Sequence, residues 1–207
     1  MNQRNDIRVV LIRHGEPKQH KSRIFLGQSD VPLSEKGIEE ASAAGEKLIE
    51  LEIKPDVIYT SDLLRAHETA DIISKKLGGI SVVPDKLFRE LDMGEWDGEF
   101  IDEIKQKFPE EYEKRGKDIL NYRIPGGENF YDLRGRVTRE FIRLFTGEFI
   151  ESVEKGGSKD FVLVAHLGVM RSIVAELTFD EEEMMQRSYS TGSVNIVDAP
   201  DWLVEKK

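Results

Sequence analysis

The chain has 207 residues, of which 40 are acidic and 30 basic, giving a formal net charge of −10, and it contains no cysteine. A chain without cysteine builds no disulfide framework, thiolate zinc site, iron–sulfur cluster or thiol nucleophile, and this length suits one core of roughly 100–200 residues. No run approaches the roughly 18 apolar residues of a membrane helix, and an acidic chain lacks the basic face a general nucleic-acid binder needs. A soluble, cytoplasmic protein with neither nucleic acid nor membrane as partner is therefore expected. In chain order, residues 7–12 read as a buried strand, followed by a polar loop to Ser34. Ser34 is the expected N-cap of a helix carrying Ile38, Ala41, Leu48 and Leu51 on its inner face. Residues 56–59 form a second strand, and Ser61 or Asp62 is placed to cap a helix with Leu63, Ala66, Ala70, Ile73 and Leu77 inward. A short strand follows at 80–83. The segment 99–118 crowds charges around a few apolar anchors and reads as a partly exposed cap. Pro125-Gly126-Gly127 returns the chain to a helix beginning near Glu128, with Leu133, Val137, Phe141 and Leu144 inward. Residues 161–165 are the last strongly apolar strand. A helix with Val169, Ile173, Val174 and Leu177 inward and a weak strand at 194–197 complete the pattern.

Alternating strands and helices predict an α/β, three-layer sandwich: a mostly parallel sheet covered by helices on both faces, with a small helical cap. No linker or repeat divides the chain, so residues 1–207 are expected to form one domain, with the cap inserted at about 95–127.

The chain has only four histidines, and two of them end strands: His14 in Arg13-His14-Gly15-Glu16 and His166 in Ala165-His166-Leu167-Gly168. Ligands of open parallel sheets bind beyond the strands' carboxyl ends, and nearby glycines allow close approach to the backbone. One such histidine is more often a hydrogen-bonded core residue; two together point to a site. Arg13 adds a cation. Arg65, in the first turn of the helix after the second strand, leans back toward the same crevice, unless it instead pairs with Glu68 or Asp62 on a solvated face. Two guanidinium groups, two imidazoles and a helix N-terminus suit a phosphoryl group. The loop from Leu87 to Gly98 interleaves Glu90, Asp92 and Glu95 with apolar residues; any of the three is a candidate proton donor, or else an ion-pair partner of Arg89. His67-Glu68 lacks a second histidine at helical spacing, so no zincin-like metal site is expected. Lys18, His20, Lys21 and Arg23 could hold a second anionic group or face solvent. Phe100, Phe108, Tyr112 and Tyr122 could line an apolar wall under the cap or anchor it.

Taken together, Arg13-His14-Gly15-Glu16, Gly27-Gln28-Ser29-Asp30-Val31-Pro32-Leu33-Ser34, Ser61-Asp62-Leu63-Leu64-Arg65-Ala66, the Glu90 loop, Pro125-Gly126-Gly127-Glu128 and Ala165-His166-Leu167-Gly168 resemble the histidine phosphatase superfamily, which includes the cofactor-dependent phosphoglycerate mutases. The resemblance implies that His14 is a nucleophile that becomes a phosphohistidine. It further implies that Arg13, Arg65 and His166 bind the phosphoryl oxygens, and that Glu90 protonates the leaving group and then activates water. It implies a phosphate contact at His20, which stands where the family often has asparagine and whose alternative is solvent. Substrate contacts are implied at Gly27 and Gln28. The expected partner is a small phosphorylated substrate, with neither cofactor nor metal. Pro17 replaces a frequent Thr or Ser, and Leu167 a common glycine. Leu91-Asp92-Met93-Gly94 follows Glu90 where mutases continue Arg-His-Tyr with a longer insertion, which is similar to the phosphatase branch, including alpha-ribazole phosphatases. A mutase and a catalytically silent phosphate-binding or scaffolding protein are the alternatives.

Overall fold

The computed structural model describes residues 7–18 and 23–204. Its centre is a five-stranded sheet in the order β3-β2-β4-β1-β5, built from β1 (Arg8–Arg13), β2 (Val57–Ser61), β3 (Ser81–Asp85), β4 (Asp160–Ala165) and β5 (Val194–Asp198). All pairings are parallel except the edge pairing of β1 with β5. The central strands β1 and β4 are apolar through Val9–Ile12 and Phe161–Ala165, as a sheet covered on both faces requires. Successive side chains go to opposite layers. Val10, Ile12, Val162 and Val164 pack under α1 (Glu35–Glu50) and α2 (Leu64–Lys76). Val9, Leu11, Phe161 and Leu163 face α5 (Phe130–Leu144) and α6 (Leu167–Thr178). Phe161 collects Tyr59, Phe141, Phe145 and Phe149 around its ring, with centroids 5.0–5.5 Å away. The expected three-layer α/β architecture is therefore present. No helix among the described residues is long and apolar enough to cross a membrane.

Local rules account for most element ends. Ser34 caps α1, its Oγ accepting from the Gly37 amide at 3.0 Å. Asn129 and Asp132 form a reciprocal capping box on α5, so that helix starts at Phe130 rather than near Glu128. Two expectations need correction. Ile38 is 50% exposed, because α1 turns its small residues Gly37, Ala41, Ala44 and Gly45 inward to let backbones approach closely. Neither Ser61 nor Asp62 supplies the N-terminal side-chain cap of α2: Asp62 makes a two-bond ion pair with Arg89, and the carboxylate of Asp30, distant in sequence, accepts from the Leu64 amide at 2.7 Å. A cap supplied across the fold leaves no local sequence signature.

Between β3 and α5 the chain forms two short 3₁₀ turns and then α3 (Ile101–Lys107) and α4 (Pro109–Lys117). These helices have their own small core of Phe25, Trp96, Ile104 and Ile124, against which Tyr112 and Tyr122 pack. Residues 23–25 pair with 98–101 through three backbone hydrogen bonds: Phe25 donates to Glu99 and accepts from Gly98, while Arg23 accepts from Ile101. The loop after β1 is thereby tied to the helical segment.

Gly15 and Gly37 meet backbone to backbone, and a methyl on either would overlap a carbonyl oxygen, that of Gly37 for Gly15 and that of Glu16 for Gly37. Alanine ordinarily favours a helix interior over glycine by about 1 kcal/mol. Gly37→Ala should nevertheless destabilise the protein by about 1–3 kcal/mol, the cost of forced overpacking. Gly116→Ala in α4, where a Cβ meets nothing within 4 Å, should be neutral or stabilising. Urea unfolding of the two variants measures the contrast, and a stabilised Gly37→Ala would contradict it.

Candidate active site

The parallel register pairs Arg13 of β1 with Ala165 of β4, so the next residue of each strand leaves the sheet at the same edge. The His14 amide donates to the Ala165 carbonyl at 3.0 Å, and the rings of His14 and His166 lie 5.0 Å apart, tilted by 58°. His14 is 5% exposed and His166 is fully buried. Nδ1 of His14 sits 2.7 Å from the Gly15 carbonyl oxygen. A carbonyl only accepts, so Nδ1 carries the proton and Nε2 keeps its lone pair. Burial, reinforced by Arg65 and then Arg13, lowers the His14 pKa to about 3, although the Gly15 hydrogen bond pulls the other way. Burial and the same two arginines also push His166 well below the ordinary histidine range. Both rings are therefore neutral near pH 7.

Ser61, at the end of β2, orients His166: its Oγ lies 2.9 Å from Nε2 and accepts from the Leu63 amide at 3.3 Å. Nδ1 is the other ring nitrogen of His166. That Nδ1 is buried and has no hydrogen-bond partner among the described residues. The same holds for Nε of Arg13 and Nε of Arg65.

Arg65 is 1% exposed and makes neither of the surface ion pairs open to it from sequence. Its two terminal nitrogens donate to the Ser29 and Gly27 carbonyls at 2.9 and 2.6 Å. Asp97 grips the other side of that loop, accepting from the amides of Gly27, Gln28 and Ser29 at 2.8–2.9 Å. The Gln28 side chain donates to the Glu90 carbonyl at 3.2 Å. Gly27 and Gln28 are thus engaged in shaping the loop and are not among the residues lining the cavity over His14. Arg13 donates from a terminal nitrogen to the Tyr189 carbonyl at 2.6 Å. Desolvation lowers the pKa of both arginines, with Glu90 opposing it most strongly.

Of the four acids in the 87–98 loop, Glu90, Asp92, Glu95 and Asp97, only Glu90 lines the cavity. Its oxygens accept from the amides of Leu91 at 2.9 Å and Gly168 at 3.2 Å, which places the carboxyl group beside the first turn after His166. Asp92 accepts from the Gly94 amide instead, and Arg89 is committed to Asp62. The cavity has a volume of about 350 Å³. Beyond Arg13, His14, Arg65 and Glu90 its wall includes Lys18, Arg23, Ile24, Leu26 and Ile101. Phe100, Phe108, Tyr112 and Tyr122 do not line it; Tyr112 and Tyr122 anchor the helical segment. His20 lies outside the described residues. Among the described residues no group of three or more His, Asp or Glu side chains is arranged to hold a metal ion.

Sequence reading missed Asp97, Ser61 as a partner of His166, and Thr69, whose Oγ accepts from the Gly15 amide at 3.0 Å and donates to the Arg65 carbonyl at 2.7 Å. The one available signal was a fourth acid, at 97, beside Trp96 and Gly98 in the 87–98 loop. Ser61 and Thr69 carried none, because their hydroxyls work across the fold.

Comparison with known proteins agrees with this geometry. Residues 9–202 match the model of the histidine phosphatase superfamily (branch 1). The chain is 32% identical over 188 residues to the 2,3-bisphosphoglycerate-dependent phosphoglycerate mutase of Nitrobacter hamburgensis, covering 89% of this chain and 88% of the relative. It is 31% identical over 196 residues to the protein of the same name from Parvibaculum lavamentivorans, covering 93% and 90%. Among solved structures it superposes on the alpha-ribazole phosphatase of Shigella flexneri with a TM-score of 0.81 at 25% identity, covering 94% of this chain and 92% of that one. The mycobacterial glucosyl-3-phosphoglycerate phosphatase in complex with VO3 gives a TM-score of 0.78 at 28% identity, covering 92% of each. Because relatives named mutases match over most of their own length, the shortness of the segment after Glu90 does not separate phosphatase from mutase. With a family model spanning almost the whole described chain and two strand-end histidines held at one sheet edge, the protein belongs to the histidine phosphatase superfamily.

Proposed function

We propose that the protein is a phosphomonoesterase that hydrolyses a small phosphorylated metabolite, without a metal, through a phosphohistidine on His14. The observation that supports this reading most directly is that three buried nitrogens, Nε of Arg13, Nε of Arg65 and Nδ1 of His166, are left without hydrogen-bond partners among the described residues around a neutral imidazole. Leaving buried donors unpaired costs roughly 1–3 kcal/mol each, and phosphoryl oxygens would satisfy them. In the first step Nε2 of His14 attacks phosphorus as the bond to the ester oxygen breaks, and that oxygen takes a proton from the carboxyl group of Glu90. In the second, water attacks the phosphohistidine, its proton passes to the Glu90 carboxylate, and inorganic phosphate leaves as the P–Nε2 bond breaks. The guanidinium groups and His166 Nδ1–H stabilise the oxygens' charge in both transition states from fixed positions.

The wall of Ile24, Leu26 and Ile101 gives the alcohol portion of a substrate an apolar surface, with Lys18 and Arg23 as the added cations. The neighbours named alpha-ribazole phosphatase and glucosyl-3-phosphoglycerate phosphatase put esters of those two kinds first in a substrate panel. The second reading, a mutase returning the phosphoryl group to a sugar-acid phosphate, is favoured by the names of the relatives at 31–32% identity. Incubation with 3-phosphoglycerate, with and without 2,3-bisphosphoglycerate, separates the two: release of inorganic phosphate supports hydrolysis, and activator-dependent formation of 2-phosphoglycerate supports the mutase.

His14→Ala should remove p-nitrophenyl phosphate hydrolysis by a factor of about 10⁴ or more, together with any acid-labile phosphoenzyme, while the wild type keeps full activity in EDTA. Full activity in His14→Ala would contradict the reading. In histidine-labelled protein without ligand, NMR should show His14 neutral, with the proton on Nδ1, from pH 8 down to about pH 4, because its folded pKa of about 3 lies below the ordinary value. The unfolded chain therefore binds more protons between roughly pH 3 and 6.5, and stability falls on acidification through that window by up to about 1.4 kcal/mol per pH unit from this group. A His14 titration near pH 6.5 would overturn both statements.

A further inference from the structure

Arg136, on α5, does not line the cavity, yet all five of its N–H donors are used, three of them on the segment that carries Glu90. Nε and one terminal nitrogen hold the two oxygens of Glu128 at 2.9 and 2.7 Å. The remaining donors reach the carbonyls of Leu87 at 2.7 Å, Arg89 at 3.0 Å and Glu90 at 3.3 Å. Glu128 in turn accepts from the Asp92 amide at 3.2 Å, and its own amide donates to the Asp92 carbonyl at 3.0 Å. The pair is largely buried, with side chains 17% and 20% exposed. The backbone on both sides of Glu90 is thus pinned at four residues, Leu87, Arg89 and Glu90 by Arg136 of the core helix α5 and Asp92 by Glu128 just before it. The turn from 89 to 92 has no ladder of its own, so its path follows from these bonds.

We infer that Arg136, braced by Glu128, is a positioning residue for proton delivery: it sets the place from which the Glu90 carboxyl group gives its proton to the departing ester oxygen. The inference rests on the proposed role of Glu90. It differs from a role in stability alone, because proton delivery matters little for a leaving group that departs as a stable anion and much for one that departs as an alkoxide. A displaced Glu90 therefore penalises alkyl esters selectively, and kcat/KM, which reports the steps through phosphoryl transfer to His14, carries that penalty.

The experiment measures kcat/KM for p-nitrophenyl phosphate and for glycerol 2-phosphate in the wild type, Arg136→Gln, Glu128→Gln and Glu90→Gln, with vanadate affinity as a measure of the phosphoryl cradle. The expected result is that the ratio of the aryl to the alkyl value rises about tenfold or more in Arg136→Gln, and by a smaller factor in Glu128→Gln, while vanadate affinity stays within about threefold. An unchanged ratio in a folded Arg136→Gln, whether both substrates slow equally or neither does, overturns the inference. If that variant fails to fold, an unchanged ratio in Glu128→Gln overturns it in the same way. A raised ratio in Glu90→Gln without one in the other variants removes Arg136 alone, whereas an unchanged ratio in Glu90→Gln removes the acid role of Glu90 and this inference with it.

Discussion

The site depends first on one backbone hydrogen bond, from the His14 amide to the Ala165 carbonyl, which carries the parallel pairing of β1 and β4 one residue past the strands. A parallel ladder holds two strand ends in step, so two imidazoles that are 152 positions apart in sequence emerge 5.0 Å from each other. The location of that edge under helices on both sides then removes water from the rings. Desolvation is the largest influence on the protonation of both histidines, and the two arginines act in the same direction. Neutral rings among cations follow from burial more than from any single charge pair.

Buried arginines are costly unless their donors are used, and the fold uses most of them before any ligand arrives. Arg65 gives two nitrogens to the 27–29 loop, which Asp97 holds from the opposite side, and Arg13 gives one to the Tyr189 carbonyl. Each guanidinium is thereby locked in place with its Nε left over. Such fixed donors need no reorganisation as charge develops on a phosphoryl group, the condition under which electrostatic stabilisation is most effective. The net charge of −10 is compatible with this arrangement: the acids lie mainly on the outer surface, while Arg13, Lys18, Arg23 and Arg65 line the cavity with Glu90 as its one carboxylate among the described residues.

Two structural levels separate the general chemistry from its specificity. The histidines, Arg13 and Arg65 stand on or directly beside the sheet and are held by the main core. The apolar wall of the cavity comes from residues 23–26 and from Ile101, joined by their own short ladder and resting on the small core of Phe25, Trp96, Ile104 and Ile124. That second core can change its side chains without disturbing the edge where β1 and β4 end. Relatives of closely similar fold, named for different phosphate esters, fit this division.

The order of strands and helices, the parallel sheet and the placement of both histidines at strand ends were legible in the sequence, because periodicity and apolar runs report burial directly. So was the grouping of Arg13, His14, Arg65, Glu90 and His166, since motif order follows chain order. Three things were settled only by tertiary structure. Glu90, and neither Asp92 nor Glu95, lines the cavity because of the direction in which an irregular turn aims each side chain. Arg65 was buried rather than ion-paired at the surface because Gly27 and Ser29 present their carbonyls to it. The supporting contacts of Ser61, Thr69, Asp97 and Arg136 join groups far apart in sequence through side-chain hydrogen bonds, and local spacing carries no trace of them. Sequence determined which groups are available for chemistry; the fold decided which of their protons and lone pairs remain unspent, because that depends on every partner brought within about 3 Å.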